Sequence, residues 1–151
     1  MAYFEDFKLG QKYISSRRTV TDGMATVLID VGGFTADQFN DRIAAEKTPL
    51  GWRAIPGRLM FALMGGLVER MSVLEGEGPG MLVGADKLVW KGPLRVGDTI
   101  YLEWEVTETR KTSNPRWGLV KNSETLINQN NEVICTVDIT HLFEYKKGDD
   151  S

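Results

Sequence analysis

Residues 55–71 read IPGRLMFALMGGLVERM, and from Leu59 to Val68 the run carries no charge. Pro56 suits the first turn of a helix, where its missing N–H has no partner to lose. An uncharged helix is buried on most sides rather than amphipathic, so the stretch predicts a central helix over Gly57–Met71. The run is too short to cross a bilayer. Gly65 and Gly66 each cost about 1 kcal/mol relative to alanine in a helix interior, and close approach to a sheet is the expected compensation. Met60 and Met64, four residues apart, are expected in the core.

The sheet is read downstream. Ile100, Leu102, Trp104 and Val106 alternate with Thr99, Tyr101, Glu103 and Glu105, a period of two with one face inward. Met81–Lys91 and Trp117–Asn128 are further strands, Asn128–Asn131 is hairpin material, and Gly76-Glu77-Gly78 is a turn. A last strand alternates with Val133, Cys135, Val137 and Ile139 on one face, and His141 shares their parity. Upstream, Lys12–Thr21 predicts a strand. Thr21 and Asp22 are N-cap candidates for a short helix through Met24, Val27 and Leu28, which Gly32-Gly33 should end. Asp37–Ala45 predicts another short helix and Thr48–Ile55 a loop. One buried helix with a few long antiparallel strands implies an α+β domain, a curved sheet wrapped around that helix.

Bulk properties narrow the function. The 151 residues predict a single domain, 1–151, with 145–151 a frayed tail. A net charge of −3 without a basic stripe argues against nucleic acid. The single cysteine, Cys135, and single histidine, His141, exclude a disulfide within one chain and a cysteine- or histidine-rich metal site. The opening MAYFEDFKLG has neither the basic flank nor the apolar run of a signal peptide. The expectation is a cytoplasmic protein with no membrane partner.

Several segments together resemble the MaoC-like family of acyl-CoA hydratases and dehydratases, which have the hotdog fold. They are YFEDFKLGQKY (3–13), RTVTDGM (18–24), TPLGWRAIPG (48–57), GPLRVGDTIYLEWEVTETR (92–110) and RWGLVKNSETLINQNNEV (116–133). TPLGWRAIPG is similar to the family's Thr-Pro-Phe-Gly-Gly-Arg-x-x-His-Gly entry to the central helix, with Pro56 in place of the histidine. The resemblance implies an acyl-CoA as substrate or ligand, no cofactor, and a homodimer or higher homo-oligomer with the pocket at the subunit interface.

The resemblance also implies a place for catalysis. The family's signature is Gly-Asp-x-Asn-Pro-x-His, whose aspartate and histidine activate water for addition to an enoyl-thioester and protonate Cα. The matching stretch is GGFTADQ (32–38). Gly33 stands at the aspartate and Gln38 at the histidine; Thr35 stands for the asparagine and Ala36 for the proline. Glycine has no side chain, and glutamine forms hydrogen bonds but does not titrate. The candidate catalytic residues are therefore Asp37, the nearest titratable group, and Gln38, an orienting amide. For Asp37 a helix N-cap is the competing role. The candidate substrate-binding residues are Gly57, Ile55, Thr35 and Arg58, with the Gly57 amide directed at the thioester carbonyl. Arg17, Arg18, Arg53 and Arg58 are read as surface residues, one or two of them available to CoA phosphates.

Three functions fit: a hydratase-like lyase with altered catalytic groups, a non-catalytic acyl-thioester-binding or scaffold subunit, and a hotdog thioesterase using Asp37, Asp41 or Glu46.

Overall fold

In the computed structural model, described over residues 2–71 and 80–146, all pairings between strands are antiparallel. The elements are β1 (Lys12–Ile14), β2 (Arg18–Thr19), α1 (Asp22–Val31), α2 (Asp37–Asn40), α3 (Arg42–Glu46), α4 (Gly57–Val68), β3 (Gly80–Trp90), β4 (Thr99–Lys111), β5 (Trp117–Ile127) and β6 (Val133–Glu144), preceded by a 3-10 turn at Phe4–Asp6. The sheet order is β1-β4-β5-β6-β3, with β2 also on β4. The turn read at Gly76–Gly78 and the tail 147–151 lie outside the described residues.

Burial drives the arrangement. Met60, Leu63, Met64, Leu67 and Val68 of α4 are buried, in one core with Leu102, Trp104, Val106, Val120, Leu126, Val137 and Ile139 of the sheet. The alternation read in β4 holds, with Ile100, Leu102, Trp104 and Val106 all inward. At about 25 cal/mol per Å² of apolar surface, a fully buried side chain of this size contributes about 1.5–3 kcal/mol.

Several local expectations are corrected. The central helix ends at Val68, not Met71. A Cβ on Gly65 or Gly66 would meet nothing within 4 Å, so these glycines do not sit against the sheet. The segment 37–45 is two helices, because Asp41 is extended (φ −115°, ψ 116°) and its side chain caps Ile43 and Ala44. Asp37 is not an N-cap; Ala36 holds that place, and Asp37 lies in the first turn of α2. Lys12–Thr21 forms two short strands rather than one. On β6, Val133 is exposed and Ile134 buried. The β5–β6 register shifts between Leu126 and Ile127, and that shift offsets the parity of the strand's first residues.

Candidate functional site

The entry to α4 is built by its neighbours. Arg53 is largely buried; its Nε donates to the Phe39 carbonyl (2.6 Å), Nη1 to Asp22 (2.8 Å) and Nη2 to Thr26 (3.1 Å). One side chain thus ties α1 and α2 to the strand-like segment before α4, and Arg53 is not a free surface arginine. That segment bridges Ala54 to Arg95, and the Ile55 amide donates to the Leu94 carbonyl (2.8 Å). Ile55 itself is 2% exposed, so it forms the floor beneath the helix entry.

Pro56 is the N-cap residue and supplies no side-chain cap. The Gly57 and Arg58 amides have no hydrogen-bond acceptor among the described residues. Free amides and the positive end of the helix dipole favour an anion or a developing oxyanion. No acidic residue occupies the first turn, and Arg58 is exposed there, which adds to the positive potential. Gly57 is wedged against Trp90 at the end of β3. The indole Nε1–H donates to the Gly57 carbonyl (2.9 Å), and a Cβ on Gly57 would lie 3.0 Å from Nε1. This bond polarises the Gly57–Arg58 peptide, whose N–H is one of the two free donors.

The glycine loop has a structural account. Gly32 is the C-cap of α1; the Gly33 amide donates to Asp30 and the Phe34 amide to Ile29. This is a Schellman ending, with Gly33 at φ +68° as its left-handed residue. Thr35, Asp37 and Gln38 are exposed. No hydrogen bond, ion pair or ring contact among the described residues joins them to Gly57 or Arg58. The other loop acids are engaged: Asp41 caps α3, and Glu46 pairs with Arg42.

A second polar group lies on the inner face of the sheet, on residues the sequence reading passed over or left as structural. Asn122 and Glu124 of β5 are 0% and 3% exposed. Asn122 Nδ2 donates to Glu124 Oε1 (3.0 Å), and Asn122 Oδ1 lies 3.2 Å from His141 Nδ1. With Nδ2 committed to Glu124, Oδ1 is the acceptor, so His141 is the Nδ1–H tautomer. Burial raises the Glu124 carboxyl to about 7 and lowers His141 to about 4, because each loses hydration of its charged form. Trp104, the cross-strand partner of Glu124, is 1% exposed, and its Nε1–H has no partner among the described residues. Shared parity with Val120 and Leu126 was the signal in the sequence for Asn122 and Glu124.

Two surface depressions, about 690 and 450 Å³, meet at Trp52 and Arg95, where the guanidinium lies over the indole, 5.5 Å from its centroid. Their linings mix both signs of charge. Among the described residues, no helix is long and apolar enough to cross a membrane.

The model of the family described as FAS1-like, dehydratase domain region, matches residues 11–137. No curated protein sequence matches the chain. Among solved structures, a MaoC-like dehydratase from Rhodospirillum rubrum aligns with TM-score 0.81 and 22% identity, covering 97% of this chain and 99% of that one. An R-hydratase from Pseudomonas aeruginosa aligns at 0.78 and 21%, covering 96% and 86%. A Mycobacterium tuberculosis protein described as having a double hotdog fold aligns at 0.80 and 20%, covering 99% of this chain and 46% of that one. At these identities the likeness is one of fold, and the fold is the hotdog.

Proposed function

Since the chain belongs to the MaoC-like dehydratases, through the FAS1-like dehydratase-region family, we propose that it binds an acyl-CoA thioester at the N-terminus of α4. The observation that carries this reading is the pair of unpartnered amides, Gly57 and Arg58, at the head of a buried apolar helix. The thioester carbonyl accepts from these amides, and the acyl chain runs along the apolar face of α4. A glycine at the head of the helix lets the ligand approach the backbone. Arg58 meets the anionic part of the ligand.

Catalysis of simple hydration is weak or absent in this reading. Gly33 and Gln38 stand where the family resemblance puts the aspartate and histidine. Loss of a general acid or base typically costs about 10²–10⁴-fold in rate. The exposed Asp37 and Gln38 are the remaining loop groups for any such chemistry. The engaged state of Asp41 and Glu46 leaves Asp37 as the carboxylate a loop-based thioesterase would have to use.

The ligand site is completed by a second copy. Among the described residues β3 pairs only with β6, and Met81, Leu82, Val83, Val89 and Trp90 on it are all at least 41% exposed. An apolar open edge is a template for another strand, and Trp90 places that edge beside Gly57.

Calorimetric titration with a panel of acyl-CoAs, together with a hydration assay on enoyl-CoAs, tests the proposal. Saturable binding with slow or no hydration is expected. Absence of binding across the panel removes the reading. A turnover number of about 10 s⁻¹ or more, ordinary for an efficient enzyme, removes the claim of weak catalysis.

A further inference from the structure

The inner face of the sheet carries hydrogen-bonding capacity that the fold leaves unused. Trp104 and Glu124 are direct cross-strand partners, and backbones paired in this way stand about 4.5–5.5 Å apart. Both side chains point into the core. The Trp104 Nε1–H donates to nothing among the described residues. Glu124 Oε1 accepts from Asn122, and its Oε2 accepts from nothing described. Around them the same face is apolar: Leu102 and Val106 on β4, Leu126 on β5 and Val137 on β6. A buried donor without a partner costs about 1–3 kcal/mol. Phenylalanine and leucine would pack here without that cost, so packing alone does not account for the pair.

We propose that Trp104 and Glu124 form the distal end of the ligand site, and that the acyl chain lying along α4 carries a hydroxyl group there. The proposal rests on the acyl-CoA reading of the Gly57 end. A hydroxyl matches both open positions. Its oxygen accepts from Trp104 Nε1–H, and its proton is donated to Glu124 Oε2. A methylene satisfies neither. Asn122 and His141 act as positioning residues: Asn122 holds the other carboxyl oxygen and is itself held by His141 Nδ1–H.

The distance sets which oxygen is sensed. Trp90, beside Gly57, pairs with Cys135 on β6; Cys135 pairs with Leu126 on β5; Glu124 is two residues further along. Two strand spacings and one two-residue step separate the ends by roughly 12 Å. The hydroxyl therefore lies several carbons beyond the reacting Cα and Cβ. Met60 and Met64 of α4 are buried in the same core as Trp104, and their unbranched side chains, with three rotatable bonds, can yield to an entering chain.

The test is calorimetric titration of the full chain with acyl-CoAs of one length, unsubstituted or hydroxylated at successive carbons from C6 outward. One hydroxylated member is expected to bind at least about tenfold more tightly than the unsubstituted chain. Trp104→Phe, which keeps a ring and removes the N–H, should abolish that preference, so that hydroxylated and unsubstituted chains bind within about twofold of each other. Glu124→Leu should do the same; if it does not fold, Trp104→Phe alone decides. Equal binding of hydroxylated and plain chains by wild type overturns the inference and leaves the acyl-CoA proposal standing. A preference that survives Trp104→Phe also overturns it. Failure of every acyl-CoA to bind removes the acyl-CoA proposal and this inference with it.

Discussion

The Trp90 indole occupies the space that a Gly57 side chain would need, and its Nε1–H donates to the Gly57 carbonyl at 2.9 Å. The last residue of the edge strand and the first residue of the central helix are thereby locked together. Gly57→Val forces a Cβ to within 3.0 Å of Nε1 and 3.2 Å of Cε2, and adds two methyls in front of the free amides. The indole must swing away. Overpacking of this kind costs about 1–3 kcal/mol. Acyl-CoA affinity is expected to fall at least tenfold in a variant that circular dichroism shows to be folded. Unchanged affinity would mean that the carbonyl does not approach Gly57.

The buried acid and histidine give opposite pH dependences. Glu124 keeps its proton up to about 7 in the folded chain and releases it near 4.5 when unfolded. Its stabilising contribution is complete below pH 4.5 and is lost as pH rises to 7. His141 stays neutral down to about 4 when folded but takes a proton near 6.5 when unfolded. Its contribution is complete above pH 6.5 and is lost as pH falls to 4. Between pH 4.5 and 6.5 the two slopes oppose each other. Glu124→Gln removes the first slope only. Relative to wild type, that variant should gain up to about 3 kcal/mol between pH 4.5 and 7.5, read from denaturant unfolding at several pH values. A wild-type-to-variant difference that is constant over this range would contradict the burial of an ionisable Glu124.

Arg53 reaches three acceptors on α1 and α2 with its fork of donors. A lysine ammonium is a point charge on a flexible stem and cannot span them. Arg53→Lys should cost about 1–3 kcal/mol, lowering the melting midpoint by several degrees in a chain of this size. Amide exchange should quicken first at residues 37–40. Exchange that quickens uniformly, or not at all, would show that Arg53 does not hold this segment.

The open β3 edge makes oligomeric state measurable. Sedimentation at micromolar concentration should give about twice the 16.9 kDa chain mass. Leu82→Lys with Val89→Lys should shift the species to the monomer, because charges on an edge strand oppose strand addition. A wild-type monomer at that concentration would rule out the completed site.

Much of this fold is visible in the chain because burial imposes simple periods. The uncharged run before Glu69 marks α4, and Ile100, Leu102, Trp104 and Val106 mark the inner face of β4. Misreadings occur where one local bond decides. Asp41 caps α3 and so splits a single helical segment. The register shift at Leu126–Ile127 exchanges the faces of Val133 and Ile134. In β5 the outward Lys121, Ser123 and Thr125 and the inward Asn122 and Glu124 are all polar, so only parity shared with Val120 and Leu126 marks the inward pair. The glycine loop looked catalytic by position, yet its glycines are explained by how α1 ends. Trp90 was legible only as a strand residue, because its meeting with Gly57 joins positions far apart in sequence.

In the proposed complex a thioester carbonyl meets the free amides of Gly57 and Arg58. Nitrogen–proton correlation spectra of the isotope-labelled chain, titrated with a non-hydrolysable acyl-CoA analogue, report on those two amides directly. Saturable downfield proton shifts at Gly57 and Arg58, as the largest backbone changes in the chain, are the predicted result. Binding that leaves both amides unmoved while shifting resonances elsewhere would contradict it.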